Sequence, residues 1–182
     1  MDTVESAQKE KTIWTIGHST RSLDEFVEML KSFQIALVAD IRRFPGSKKY
    51  THFNQDNLRI SLRENNIEYI HFEALAGRRK ARPDSVNTAW RNVSFQGYAD
   101  YMETREFMVA MAKLEAAASK RRTAYMCSEA VWWRCHRSMV SDILKFQGWK
   151  VNHIMGVGKQ TEHPYTGPAK IEGNRLIYQE SS

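Results

Sequence analysis

Apolar positions along the chain alternate between two spacings. Thr12-Ile13-Trp14-Thr15-Ile16 is a short β-rich run stopped by Gly17, which predicts a buried strand. Ser22 and Glu25 form a capping box, and Phe26, Val27, Leu30 and Phe33 follow at helical spacing, which predicts a helix over Ser22–Phe33. Ile35 to Ile41 is nearly continuous apolar sequence ending in Asp40-Ile41, the signature of a strand covered on both faces. Asn54 caps a predicted helix through Asn65 with Leu58 and Leu62 inside, and Ile67–His71 reads as the next strand. Further on, the spacing predicts helices over Phe95–Met102, Thr104–Ser119 and Trp133–Phe146, the last closed by Gly148. Strands are predicted at Thr123–Cys127 and Lys150–Met155.

Strands alternating with helices imply a Rossmann-like α/β domain of three layers, its mostly parallel sheet flanked by helices. Residues 1–11 read as a flexible polar tail and 12–178 as one domain, and no internal repeat interrupts it. The segment 74–93 is longer than an ordinary connection and carries Gly77, Arg78, Arg79, Lys80, Arg82 and Pro83, so it is expected to be functional or mobile.

A parallel sheet binds ligands outside the carboxyl ends of its strands, and that rule turns the pattern into a site. The strand ends carry His18 and Ser19, then Asp40, Arg42 and Arg43, then Cys127 and Glu129, continuing to Arg134, Cys135, His136 and Arg137. Cys127 is expected where a strand yields to a helix N-terminus, a field that favours bound anions and a thiolate. The stretch from Cys127 to Arg134 resembles the cysteine-to-arginine phosphate loops of phosphatases and rhodaneses, but with six intervening residues and no glycine. Cys135 and His136, adjacent on the predicted helix, would point about 100° apart, so no metal ligand set is assigned. Asp40 is expected to orient an arginine, and His18 to act as an acid/base or anion donor.

Composition adds the sign of the partner. The 182 residues include 27 basic and 21 acidic side chains, a formal charge of +6, which favours phosphates, nucleotides or nucleic acid. Basic and aromatic residues mix in two loops, Arg42–Phe53 and Arg78–Arg91, a composition that can hold single strands. No apolar stretch is long enough to cross a membrane, and the polar start has no apolar leader. A cytoplasmic protein with no membrane partner and free thiols at its two cysteines is therefore expected.

Thr15-Ile16-Gly17-His18-Ser19, Asp40-Ile41-Arg42 with Pro45, Phe95 to Met102, Met126-Cys127-Ser128-Glu129 and Arg134-Cys135-His136-Arg137 together resemble the domain-of-unknown-function 488 family. The resemblance implies a Rossmann-like domain with these motifs around one pocket. It makes His18, Asp40, Arg42, Cys127, Glu129, Cys135, His136 and Arg137 candidates, and it implies neither an activity nor a cofactor.

The residues lead to an enzyme for a phosphorylated or otherwise anionic substrate, such as a nucleotide or nucleic acid. Cys127 or Glu129 would react, His18 or His136 would handle protons, and Arg42, Arg134 and Arg137, with Ser19, Asp40 and Arg43 beside them, would hold the substrate. Two other readings stay open: a non-catalytic nucleic-acid-binding module using the basic loops, and a metal- or redox-responsive protein using Cys127, Cys135 and His136.

Overall fold

The computed structural model describes residues 9–46 and 48–180. Of the expected N-terminal tail, residues 1–8 lie outside the described residues. Eight strands and five helices follow in the order β1 (Thr12–Gly17), α1 (Leu23–Ser32), β2 (Leu37–Asp40), α2 (Gln55–Glu64), β3 (Glu68–His71), α3 (Val93–Met102), α4 (Arg105–Lys120), β4 (Thr123–Cys127), α5 (Arg137–Phe146), β5 (Lys150–Gly156), β6 (Lys159–Glu162), β7 (Lys170–Glu172) and β8 (Arg175–Ile177). The main sheet has six strands in the order β3-β2-β4-β1-β5-β6. All neighbours in it are parallel except β5 and β6; β7 and β8 form a separate hairpin.

Side chains alternate across each strand and so build two cores. Trp14, Ile16, Val38 and Met126 face α1 and α2, where Phe26, Leu30, Leu58 and Leu62 cover them. Ile13, Ala39, Tyr125 and Cys127 face the opposite way, against Tyr98, Phe107, Leu114, Met139 and Leu144 of α3, α4 and α5. The α/β architecture is thus a sheet between two helix layers, each large buried side chain contributing roughly 1.5–3 kcal/mol. Thr15 faces the α5 side by this alternation, and the site depends on it.

Helix α1 begins as the capping box requires, with the Glu25 amide donating to Ser22 Oγ at 3.1 Å. Gly148, at φ 95°, closes the chain after α5 in a conformation that a side chain would strain. The predicted helix over Trp133–Phe146 needs correction. A 3-10 turn spans Trp132–Arg134, Cys135 is extended at φ −133° and ψ 152°, and α5 starts only at Arg137. Cys135 and His136 are therefore not consecutive helical positions: the break turns the Cys135 sulfur to 3.4 Å from His136 Nδ1.

The long charged segment is ordered by one carboxylate on α3. Asp100 accepts from the Arg82 amide at 2.8 Å, Ser85 Oγ at 2.6 Å and Asn87 Nδ2 at 2.7 Å. Beneath the same segment Gly97 lies so close to the Arg79 carbonyl that a side chain there would overlap it. Among the described residues no helix is long and apolar enough to cross a membrane.

Candidate active site

The strand register brings the expected residues to one edge. Gly17 pairs with Cys127 and Asp40 with Met126. The pairing runs on past the strand ends, with the His18 amide donating to the Cys127 carbonyl at 3.1 Å and the Ser19 amide to the Ser128 carbonyl at 2.9 Å. A cavity of about 650 Å³ opens there, lined by His18, Ser19, Arg42, Arg43, Cys127, Glu129, Arg134, Cys135 and His136 among others. Arg78, Phe44, Tyr50 and Tyr98 complete its wall. Ser19 and Arg78, both in the cavity wall, hold positive φ of 48° and 58°, a conformation costly for residues other than glycine and common at ligand sites.

Asp40 does not line this cavity; it braces it. Its fully buried carboxylate accepts from Arg42 Nε at 2.9 Å, Arg42 Nη2 at 2.7 Å, the Arg42 amide at 3.0 Å and the Tyr69 hydroxyl at 2.5 Å. Burial and the Asp40 charge push the Tyr69 phenol far above its usual range, so it stays a donor. Arg42 Nη1 then reaches His18 Nε2 at 3.3 Å, while His18 Nδ1 stands 2.9 Å from the Ser19 carbonyl. The assignment that satisfies both contacts is Nδ1–H donating to Ser19 and Nε2 accepting from Arg42. His18 is neutral accordingly, its pKa lowered to about 4 by burial and the adjacent Arg42 charge against the opposing Ser19 hydrogen bond.

The cysteines divide their roles in the reverse of the expected order. Burial pushes the Cys127 thiol well above its ordinary pKa, its hydrogen bond to Cys135 pushes the same way, and the charge of Arg137 offsets only part. Burial also acts against the Cys135 thiolate, but the Cys127 hydrogen bond, the Arg137 charge and the Arg137 amide outweigh it. The net direction for Cys135 is down. The Arg137 amide, in the first turn of α5, lies 3.4 Å from Cys135 Sγ, so the helix N-terminus faces the second cysteine rather than Cys127. Cys127 keeps its proton, which serves the hydrogen bond to Cys135, and its sulfur lies 3.8 Å from the Glu129 carbonyl. Both residues are free thiols.

His136 Nε2 lies 3.0 Å from the Ile41 carbonyl, which assigns its proton to that nitrogen and leaves Nδ1 as the acceptor facing Cys135. Burial lowers its pKa, so the imidazole is neutral. Gly77 makes room for this ring: a Cβ there would stand 2.8 Å from His136 Nδ1.

The expected trio of anion-holding arginines separates. Arg42 is committed to Asp40, and Arg137 lies behind the cavity wall, 1% exposed, donating to the Glu129 carbonyl at 2.9 Å and Thr15 Oγ1 at 3.1 Å. Arg42 and Arg134 both line the cavity, but of those two only Arg134 has no carboxylate partner among the described residues. Arg43 and Arg78 join it, Arg43 tied to the Gly77 and Arg78 carbonyls at 3.4 and 3.2 Å. Among the described residues no carboxylate pairs with Arg43, Arg78 or Arg134. No group of three or more histidine, cysteine or acidic side chains among the described residues is arranged to hold a metal ion.

Sequence reasoning missed the residues behind the wall: Thr15, Tyr69, Trp132, Asp142, His153 and His163. One signal was available, since His153 is a titratable residue in the middle of a predicted strand, and it is fully buried. Burial, the neighbouring His163 and the Arg137 charge lower its pKa to about 2.

These two depressed histidines set a pH dependence. In the unfolded chain each takes up a proton near pH 6.5, whereas in the folded protein uptake waits until about pH 4 for His18 and about 2 for His153. The unfolded state binds more protons between those limits, so stability falls as pH falls below 6.5. Linkage gives a loss of about 2 kcal/mol from each histidine by pH 5. Denaturant titrations at pH 7 and pH 5 check this, and equal midpoints would contradict neutral buried imidazoles.

A family model with the description "Domain of unknown function DUF488" matches residues 22–144. No curated protein and no solved structure matches the chain. The matched span contains Asp40, Arg42, Cys127, Glu129, Cys135 and Arg137, and leaves His18 on one side and His153 and His163 on the other.

Proposed function

Since the chain belongs to the DUF488 family, whose description assigns no activity, we propose from the site itself that this is an enzyme for a small phosphorylated substrate of the nucleotide class, with Cys135 as the reacting group. The observation that carries the reading is the unneutralised wall: Arg43, Arg78 and Arg134 line one cavity without a carboxylate partner among the described residues, beside a single acidic side chain, Glu129. Guanidinium groups held around a concavity suit a phosphate, which accepts their paired hydrogen bonds. Phe44, at the same wall, is 68% exposed with the guanidinium carbons of Arg43 and Arg78 5.8 and 5.9 Å from its ring centre. That exposed face is the right surface for a base, and about 650 Å³ is ample for one nucleotide.

Cys135 supplies the nucleophile, because its sulfur meets the N-terminus of α5 and the lone pair of His136 Nδ1. Cys135 gives its proton to His136 Nδ1 and the thiolate attacks the phosphorus. The P–O bond to the leaving alcohol breaks as the P–S bond forms, and the imidazolium returns the proton to the departing oxygen. Water then hydrolyses the P–S bond and restores the thiol, while the arginines hold the phosphate and His18 and Ser19 shape the floor.

Titration with a nucleoside monophosphate tests the reading. Arg134→Lys and Arg78→Lys are each expected to weaken binding about 5- to 150-fold, the equivalent of roughly 1–3 kcal/mol for a charge-assisted contact that lysine cannot reproduce. Cys135→Ser should bind but not turn over. A parent protein that binds neither nucleotide nor inorganic phosphate overturns the proposal. Salt-steep binding of single-stranded nucleic acid that survives both arginine exchanges would put the binding module in its place.

A further inference from the structure

Arg137 is buried beside the site, yet among the described residues no carboxylate lies within ion-pair distance of it. Its Nε has no hydrogen-bond partner. A buried cation without a carboxylate partner is expensive, and the Cys135 thiolate is not its only compensation. More comes along a chain of buried groups. Arg137 Nη1 lies 3.1 Å from Thr15 Oγ1, Thr15 Oγ1 lies 2.6 Å from His153 Nδ1, His153 Nε2 lies 2.8 Å from His163 Nδ1, and His163 Nε2 lies 2.7 Å from Asp142 Oδ1.

One direction of donation satisfies every member without adding a charge. Arginine can only donate, so Thr15 Oγ1 accepts from it and passes its own proton to His153 Nδ1. His153 then carries its proton on Nε2 and gives it to His163 Nδ1, and His163 donates from Nε2 to the Asp142 carboxylate. Asp142 is fixed in turn by the Thr166 amide at 3.0 Å, Thr166 Oγ1 at 2.6 Å and the Tyr178 hydroxyl at 2.8 Å. The guanidinium therefore sits at one end of a polarised chain and a carboxylate at the other. Such a chain does not conduct protons to the cavity, because arginine does not release one at accessible pH. What it can do is hold a charge in place.

We infer that Arg137 is the positioning residue for the Cys135 thiolate, fixed there by the Thr15–His153–His163–Asp142 chain. The inference rests on reading Cys135 as the reacting group. From its fixed position Arg137 holds the Glu129 carbonyl through Nη2 and gives its own amide to the Cys135 sulfur, so both ends of the cysteine loop hang on one residue. The loop grips the chain a second time: Trp132 stacks on His153 with ring centres 4.6 Å apart and planes 3° from parallel, and it meets His163 edge-on. Thr15, His153, His163, Thr166 and Tyr178 all lie outside the family-matched span, so segments before and after that span set the electrostatics of a cysteine inside it.

The test reads Cys135 itself. Alkylation of the full-length protein with iodoacetamide, followed peptide by peptide by mass spectrometry across pH 5–10, gives the ionisation midpoint of each thiol. Thr15→Val removes the hydroxyl at nearly constant volume and is expected to raise the Cys135 midpoint by about one unit and slow its alkylation at pH 7 about tenfold. Thr15→Ser, which keeps the hydroxyl, should restore the parent midpoint, whereas a merely structural role would change the melting temperature and leave the midpoint alone. If Thr15→Val does not fold, long-range 1H–15N NMR of the parent decides: both His153 and His163 should be neutral Nε2–H tautomers. A folded Thr15→Val with the parent midpoint, or a His163 protonated on Nδ1, overturns the inference. Nucleotide titration of the same samples keeps the two ideas apart, since a protein that fails to bind nucleotide yet shows the Thr15 effect loses the proposed substrate and keeps the positioning residue.

Discussion

Asp40→Asn is expected to lower stability by about 3–5 kcal/mol, the cost of leaving a buried charge without its partner. Each Asp40 oxygen already accepts from more than one donor: Oδ1 from the Arg42 amide and Nε, and Oδ2 from Arg42 Nη2 and the Tyr69 hydroxyl. An amide would turn an NH2 group against donors whichever way it flipped, and Arg42 would keep its charge in a site only 8% exposed. For a domain of this size the loss corresponds to a drop of roughly 6–20 °C in melting temperature. Adding Arg42→Gln to Asp40→Asn removes the stranded charge, so the double variant should be more stable than the two single losses predict, by at least about 1 kcal/mol. Strict additivity in thermal melts would mean that the pair is solvated and does not brace the His18 wall.

This pair shows what the sequence can and cannot disclose. The position of Asp40 at the end of an apolar run, next to Arg42, was legible, because a parallel buried strand must end where polarity resumes. Its second partner, Tyr69, was not, because the two meet through the β2–β3 register at a separation of 29 residues. The same difference runs through the fold. Helix α1 and strand β2 carry their burial in local periodicity, and their limits fall within about two residues of those expected. Strand β6, with every side chain exposed, has no apolar pattern to detect.

The cysteine loop departs from the expected helix for a related reason. Trp133 to Phe146 has helical spacing, but the Cys135 backbone is extended and Ser138 caps its carbonyl through its amide at 3.0 Å and hydroxyl at 2.8 Å. Tertiary demands overrode periodicity: the cysteine loop must bring Cys135 toward Cys127 and leave Arg137 pointing inward. Both thiols are candidates on sequence alone, but the order of their acidities follows from the Cys127–Cys135 hydrogen bond, the Arg137 charge and the Arg137 amide, and these depend on a break no local pattern marks.

Gly17→Ala should be the most damaging single-methyl change in the site. Gly17 ends β1 opposite Cys127, and a Cβ built on it would overlap the Glu129 carbonyl and come within 3.1 Å of Arg137 Nη2. That carbonyl is the acceptor through which Arg137 holds the cysteine loop. The obstruction is backbone, and the backbone on both sides is tied down by the His18–Cys127 and Ser19–Ser128 hydrogen bonds, so the methyl cannot be accommodated by a rotamer change. Overpacking of this kind costs about 1–3 kcal/mol where side chains can yield, and more is expected here. Gly77→Ala is the informative contrast. Its Cβ would press on the His136 ring, a side chain rather than backbone but one held by the Ile41 carbonyl, so the loss in melting temperature should be smaller than for Gly17→Ala, while Cys135 loses its placed imidazole neighbour and alkylates with a changed pH profile. Thermal melts and peptide-resolved alkylation separate the two glycines. Gly17→Ala melting like the parent, with unchanged Cys135 reactivity, would show that the Glu129 carbonyl is free to move, and that the loop is held by something other than Arg137.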